Sequence, residues 1–240
     1  MWDMDPTTPT REGWVIELQG DKTFLDFELT HYFRQGSVRV FERENRIYLQ
    51  ADEIDVQPDF RSAEEQAHKL LRTICGLFGV VATPDKARPV AAIPRYADGN
   101  WGERIDLVHL ELNKGISISF RVPTDRAQKA LALALRDDRV RRALDEFAGE
   151  PNFPRLRRVY EMIWTEYDLT QSNADTKMVK AGLAKEVAEF VHFRNTVNRS
   201  PEGAVHSTPF GRPPYPRAMS LEEARSYLRG LLNRWIDTKL

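Results

Sequence analysis

Apolar residues recur at two different spacings along the chain, and each spacing predicts a different structure. Between about residues 13 and 122 most runs are short and strand-like, and several alternate apolar with polar residues. These runs are GWVIELQGD, SVRVFERENRIYLQA, RPVAAIPRY, RIDLVHLELN and GISISFRVP. In the second run, Glu44-Asn45 lies between two alternating halves, and Asn45 tolerates the positive φ of a tight turn. The pattern predicts an antiparallel sheet with hairpin connections, the second of them through Asn113-Lys114-Gly115.

One helical pattern interrupts these strands. Between Ser62 and Gly79 the apolar residues fall on one helix face, at Ala67, Leu70, Leu71, Ile74 and Leu77. Ser62 is predicted to cap this helix, and Gly79 to end it. Residues 13–122 are therefore predicted to form an α+β domain, an antiparallel sheet with one packed helix. The polar residues 1–12 are predicted to be a flexible tail.

After Pro123 the spacing becomes helical and stays so. TDRAQKALALALRDDRVRRALDEFAG predicts either one long helix or two helices broken near Arg136, the second capped by Asp137 or Asp138. PRLRRVYEMIWTEYD and MVKAGLAKEVAEFVHFRNTV predict further helices. In SLEEARSYLRGLLNRWIDTKL, Ser220 and Glu223 have the spacing of a capping box. Residues 124–240 are therefore predicted to form a helical bundle.

The charge is shared unevenly along the chain. Residues 1–154 hold 21 Lys and Arg against 26 Asp and Glu, and residues 155–240 hold 14 against 10. The net charge of −1 for all 240 residues excludes a uniformly basic nucleic-acid coat but not a local basic patch. The two parts either complement each other within one molecule, or the basic part meets a polyanion.

Several classes of protein are excluded by what the sequence lacks. Cys75 is the only cysteine, so neither an internal disulfide nor a cysteine-based zinc site is expected. No glycine-rich phosphate loop, zinc-protease motif or nucleophile elbow occurs, and we predict no cofactor and no metal. No apolar run approaches the ~18 residues that span a bilayer, and the acidic N-terminus does not resemble a secretory signal. We expect a cytoplasmic protein without a membrane partner.

The candidate chemistry lies in the segment from Phe190 to Trp235. There Arg194, Asn195, Arg199 and His206 precede the last helix. A histidine can exchange a proton near neutral pH, and an adjacent arginine can hold a phosphate. Metal-free RNA cleavage needs both functions. The alternative is a solvent loop whose arginines cap helix ends. The other histidines discussed, His31, His68 and His109, are expected to be structural or surface residues.

The C-terminal part, about residues 125–240, resembles HEPN-type helical bundles, in particular those of a group of uncharacterised bacterial proteins. The resemblance rests on RLRRVYEMIW, FVHFRNTVN, a loop with His206, and PRAMSLEEARSYLRGLLNRWI. The resemblance implies a motif in which an arginine is followed by a polar residue and, after four to six further positions, by a histidine. Arg199 to His206 fits this spacing, but Ser200-Pro201 follows the arginine. Arg194-Asn195 supplies the pair without a histidine at the right distance, and Val205-His206-Ser207 replaces the Arg-His-Gly of that group.

A second basic set precedes the core of the predicted bundle. Arg139 and Arg142 are neighbours on one helix, and Arg155 and Arg158 are neighbours on the next. A phosphate backbone could follow such a face, joined by Arg212 and Arg217 of the proline-rich segment FGRPPYPR. The alternative is a solvated face whose arginines pair with the carboxylates of Asp137, Asp138, Asp145 and Glu146.

These observations predict an RNA-associated, HEPN-like module of bacterial stress response or phage defence. One alternative is a metal-independent endoribonuclease, so enzyme activity stays open. In this alternative His206 is the general acid or base, and Arg199 or Arg194 stabilises the phosphate. The resemblance to HEPN proteins implies that such an enzyme is a homodimer. A second alternative is a protein-interaction scaffold without nucleic-acid binding. A protein partner would then bind through the N-terminal domain.

Overall fold

The chain divides into two compact units. The computed structural model describes residues 11–83, 86–107, 124–167, 192–194, 196–197 and 219–240. The first unit, called the sheet unit, holds the described residues up to Arg72, those from Ala82 to 107, and 124–128. The second, called the helical unit, holds Thr73–Val81 and the described residues from Lys129 onward. Thr73–Val81 thus belong to the helical unit although they lie within the range 13–122 predicted for the sheet domain.

The sheet unit contains the antiparallel sheet that the alternating pattern predicts. Its strands are β1 (Arg11–Gly20), β2 (Val38–Arg43), β3 (Arg46–Ala51), β4 (Ala87–Tyr96) and β5 (Ile105–Asp106). They lie in the order β2-β3-β1-β4-β5, and every neighbouring pair is antiparallel. The hairpin predicted through Asn113-Lys114-Gly115 lies outside the described residues.

The turn between β2 and β3 has the geometry that its sequence predicts. Glu44 and Asn45 both have positive φ, 53° and 61°. Two successive residues in this region are typical of a type I′ turn, whose twist matches that of the flanking strands. The register confirms the hairpin, since Arg43 lies opposite Arg46 and Val40 opposite Leu49.

The central strand β1 is buried on both faces. On one face Ile16 lies opposite Leu49, and both are fully buried. On the other face Val15, Tyr48 and Ile93 form a small apolar cluster, against which Phe41 and Trp101 pack. Burial on both faces explains why the β1 sequence WVIEL has no simple alternation.

The sheet unit has more helical segments than the one that was predicted. A π-helical segment (Thr23–Leu29) runs into α1 (Thr30–Tyr32), and α2 (Asp52–Asp55) follows β3. These segments are too short to display a helical period, so the sequence pattern did not indicate them. The predicted helix is α3 (Phe60–Phe78).

The predicted end of α3 is confirmed, but its predicted cap is wrong. Gly79 follows the last helical residue with a φ of 70°, and the Val80 N–H donates to the Cys75 carbonyl at 2.9 Å. This is the glycine-terminated end typical of helices. At the other end the helix begins before Ser62, whose backbone N–H donates to Asp59 Oδ1 at 2.9 Å. Asp59 is therefore the capping side chain, because aspartate caps as well as serine does.

The later helices are α4 (Thr124–Arg136), α5 (Asp138–Phe147), α6 (Phe153–Glu166) and α7 (Leu221–Asp237). All of them belong to the helical unit except the first five residues of α4, which count with the sheet unit. Residues 192–194 and 196–197 are also helical. The structure chooses the two-helix alternative for the segment after Pro123. Asp137 interrupts it and caps α5, since its Oδ1 accepts hydrogen bonds from the backbone N–H groups of Arg139 and Val140. The predicted capping box of α7 is confirmed, with Glu223 N–H donating to Ser220 Oγ at 3.1 Å.

The core of the helical unit lies around α6, which contacts both α5 and α7. Phe193 is fully buried there, with its ring centroid 5.4 Å from that of Tyr160 and 5.1 Å from that of Tyr227. Close by, the buried Thr196 hydroxyl accepts a hydrogen bond from the Met219 N–H at 3.0 Å. The helical residues 196–197 are thereby joined to the residues that lead into α7.

Candidate nucleic-acid interface

Most of the predicted catalytic loop lies outside the described residues. This holds for Asn195, Arg199 and His206, and also for Arg212 and Arg217. The predicted cleavage chemistry therefore remains a prediction.

Arg194 is described, and it lies near the phenol of Tyr160. Burial raises the pKa of Tyr160, and the positive charge of Arg194 opposes this rise. Arg194 itself is half-buried within the helical residues 192–194. Its guanidinium is thus close enough to α6 to act electrostatically on a core side chain.

A surface groove lies where α4 ends and α5 begins. It has a volume of about 690 Å³. Its cationic lining residues are Arg136, Arg139, Arg142 and Lys239. Its remaining lining residues are Asp137, Asp138, Met162 and Glu166. The break between the two helices thus brings three arginines together at one opening.

Lys239 connects the start of α5 with the end of α6. Its Nζ lies 2.8 Å from Asp137 Oδ2 and 2.7 Å from Glu166 Oε1. Burial alone would lower the pKa of Lys239, but the hydrogen bonds to the two carboxylates outweigh it and raise the pKa. Burial would likewise raise the pKa of Asp137, but Lys239 and the α5 backbone N–H groups lower it overall. Lys239 therefore has a structural function in the groove wall.

The three arginines of the groove are held more weakly than Lys239. Arg142 Nη2 lies 2.7 Å from Asp138 Oδ2, but 71% of the Arg142 side chain is exposed. Arg139 Nη1 lies 3.6 Å from Glu166 Oε2. Arg136 makes no ion pair with the residues that the structure describes. Exposed pairs of this kind contribute only about 0–1 kcal/mol, so these guanidinium groups remain available to another anion.

Arg155 and Arg158 lie together elsewhere on the helical unit. Both contact Glu146 Oε2, at 3.4 Å and 3.0 Å. Neither lines the groove. The structure therefore confirms the two neighbouring pairs that helical spacing predicts, 139 with 142 and 155 with 158, but only the first pair lies in the groove.

Several groove residues were not assigned to a site from the sequence, among them Met162, Glu166 and Lys239. Lys239 lies 102 positions from Asp137. Helical spacing cannot detect such a pair, because it relates only residues three or four positions apart. The signal that could have located the groove is the helix break at Asp137, where one helix ends and the next begins.

No group of three or more His, Cys, Asp or Glu side chains suited to a metal ion occurs in the part of the chain that the structure describes. None of the helices among the described residues is long and apolar enough to cross a membrane. Comparisons of the chain with protein-family models, curated proteins and solved structures give no match.

Proposed function

We propose that the chain is an RNA-associated protein of bacterial stress response or phage defence, with a HEPN-like helical bundle in its C-terminal part. The observation that carries this proposal is the groove with Arg136, Arg139 and Arg142 around one opening. Arginine suits phosphate because its guanidinium group donates two parallel hydrogen bonds to two oxygens.

The electrostatics of the groove favour replacement of a carboxylate by a phosphate. Arg142 and its partner Asp138 are both more than half exposed, so their pairing is screened by water. A phosphodiester can therefore take the place of Asp138 at little cost. The Lys239 contacts leave the groove wall intact when this exchange occurs, because they use other carboxylates.

The size of the groove suits a single-stranded segment. A volume of about 690 Å³ is within the range of small-molecule sites, large enough for one or two nucleotides. Met162 adds an apolar surface among the charged groups, against which a base can pack. Phosphate contacts of this kind give affinity without sequence preference.

The test is the binding of labelled single-stranded RNA to the full chain at several salt concentrations. Arg136→Gln and Arg142→Gln should each weaken binding and make its salt dependence shallower, by about one unit of slope for each phosphate that is no longer neutralised. Arg141→Gln is the matched control. Arg141 is on the same helix as Arg142 and pairs with the same Asp138, but it does not line the groove. Equal effects in all three variants would contradict the proposal.

The same RNA separates the two other interpretations. Cleavage in the presence of EDTA that is abolished in His206→Ala would favour the metal-independent endoribonuclease, with Arg194, Asn195 and Arg199 as its further site residues. Cleavage should then depend on a homodimer. Absence of both RNA retention and RNA cleavage would favour the protein-interaction scaffold.

A further inference from the structure

One face of the sheet carries three aromatic rings near the turn between β2 and β3. Phe41 lies opposite Tyr48 in the hairpin, and the ring centroid of Trp101 lies 5.0 Å from that of Tyr48 and 6.3 Å from that of Phe41. Tyr48 is buried, whereas Phe41 and Trp101 are only partly buried. These three rings, called the Trp101 cluster, therefore leave some aromatic surface open to solvent.

The backbone holds Trp101 in place beside this face. Trp101 forms an isolated antiparallel bridge with Arg95 of β4, and the Gly102 N–H donates to the Pro94 carbonyl at 2.7 Å. A Cβ at Gly102 would lie 2.5 Å from Pro94 Cγ, so the close approach favours glycine. The Trp101 ring is thus positioned before a ligand binds, and this lowers the entropic cost of binding.

Three arginines lie beside the Trp101 cluster, and a single buried carboxylate pairs with two of them. Glu17 Oε2 accepts hydrogen bonds from Arg46 at 3.1 Å and from Arg104 at 2.8 Å, and only 11% of the Glu17 side chain is exposed. Arg104 also contacts Asp106, whose side chain is 70% exposed. Arg43 lies directly opposite Arg46 in the hairpin, so two like charges repel each other here. Buried carboxylates therefore do not neutralise all of this positive charge.

Arg43 is the arginine that a ligand can reach most directly. Its Cζ lies over the Trp101 ring, 4.3 Å from the centroid, a favourable cation–π contact. Among the described residues its only charged partner is Glu44, at 3.5 Å, and the two side chains are 52% and 78% exposed. Water screens such a pair, so it is weak. A phosphate can therefore replace the Glu44 carboxylate while Arg43 stays over Trp101.

Aromatic rings beside arginines are suited to a nucleotide. Every base has a flat π-face that can pack against an exposed aromatic side chain, and the guanidinium fork matches the oxygens of the adjoining phosphate. An acidic peptide would use the arginines of this surface but not its rings. The combination of rings and cations therefore favours a nucleic acid over an acidic peptide.

We infer that the Trp101 cluster and Arg43 bind a nucleotide unit of single-stranded RNA. The phosphate lies against Arg43 and Arg46, whose side chains are both about half exposed, and the base lies against the open surface of Trp101 and Phe41. The inference rests on the proposed function in that the ligand is RNA. It uses residues of the sheet unit, and none of them lines the groove.

The test is fluorine NMR of the full chain labelled with fluorotryptophan and titrated with a single-stranded oligoribonucleotide. The chain has five tryptophans, and Trp101→Phe assigns the signal of Trp101. RNA should shift this signal, and the affinity read from it should fall about tenfold in Arg43→Gln, as expected for the loss of a charge-assisted hydrogen bond. Arg61→Gln is the matched control and should leave the affinity unchanged. Arg61 is also exposed and lies over a ring, that of Phe60, but outside the cluster.

The groove variants separate this inference from the proposed function. A Trp101 shift that depends on Arg43 and persists in Arg142→Gln supports the site. RNA binding that the groove variants weaken, without any shift of the Trp101 signal, overturns the inference and leaves the proposed function standing. A Trp101 shift that Arg43→Gln weakens, with RNA binding unchanged in Arg136→Gln and Arg142→Gln, supports the site and contradicts the groove. An equal shift with a glutamate-rich peptide, or an equal loss in Arg61→Gln, overturns the inference.

Discussion

Gly76 of α3 lies directly against the main-chain carbonyl of Leu144 in α5. A Cβ at Gly76 would lie 2.2 Å from the Leu144 oxygen and 2.7 Å from its carbonyl carbon. Only glycine permits two helix backbones to approach so closely. One turn earlier the buried Thr73 hydroxyl donates to Asp145 Oδ1 at 2.7 Å, so the contact is fixed by a hydrogen bond as well.

Substitution of this glycine should destabilise the protein strongly. Gly76→Ala should lower the free energy of unfolding by about 3 kcal/mol, because backbone cannot move aside as a flexible side chain can. Urea denaturation followed by circular dichroism measures the change. Gly230→Ala is the control, since Gly230 lies within α7 and, apart from its own stretch of helix, the described residues place no atom within 4 Å of the added Cβ. It should stabilise the protein by about 0.5–1 kcal/mol. The same sign for both variants would contradict the close approach.

The Asp137–Lys239 pair should make stability depend on pH at two extremes. The pKa of Asp137 is lowered in the folded protein, so its contribution is complete above the ordinary value of 3.8 and is lost as the pH falls through the folded value. The pKa of Lys239 is raised, so its contribution is complete below 10.5 and is lost as the pH rises through the folded value.

The variant that isolates this pair is Asp137→Asn, which can still cap α5. The wild type should exceed Asp137→Asn in unfolding free energy at neutral pH, and the difference should disappear at low pH. Chemical denaturation at a series of pH values measures it. A difference that is constant with pH would show that the pair has no electrostatic contribution.

The Thr196 hydroxyl should protect the Met219 amide from hydrogen exchange. Thr196→Val leaves the buried Met219 N–H without its acceptor and should cost about 1–3 kcal/mol. Hydrogen exchange of the Met219 amide should become faster than in the wild type. Thr196→Ser keeps the hydroxyl and should retain most of the protection of this amide, even though it removes a buried methyl group. Equal exchange in both variants would contradict the hydrogen bond.

A substitution in the turn between β2 and β3 should stabilise the sheet unit. Glu44 has a φ of 53°, a conformation that costs a residue with an ordinary side chain about 1 kcal/mol. Glu44→Asn should therefore stabilise the sheet unit by about 0.5–1 kcal/mol, since asparagine tolerates positive φ. Glu42→Asn makes the same chemical change within β2 and should be neutral or destabilising, because asparagine is disfavoured in strands. Thermal denaturation compares the two.

Features that depend on residues a few positions apart could be predicted from the sequence. The turn at Glu44-Asn45 and the capping box of Ser220 and Glu223 are of this kind. The predicted cap of α3 is wrong, although it too depends on residues only a few positions apart. Asp59 and Ser62 are both good capping residues, and the sequence pattern gives no reason to prefer one.

Features that depend on distant residues could not be predicted. Gly76 is an ordinary member of a helical pattern until Leu144 is brought against it. Lys239 likewise gains its function only through Asp137 and Glu166. The groove depends on such contacts too, since it combines residues from separate helices. Its charged residues are visible in the sequence, but their grouping is not.

The helix α3 has a practical consequence for anyone who divides this protein. Its first thirteen residues, from 60 to 72, count with the sheet unit, and Thr73–Phe78 count with the helical unit. A fragment of residues 124–240 would therefore lack Thr73 and Gly76, which meet α5, and Gly79, which meets Arg225. We expect such a fragment to expose apolar surface on α5 and to aggregate, whereas the undivided chain keeps that surface covered.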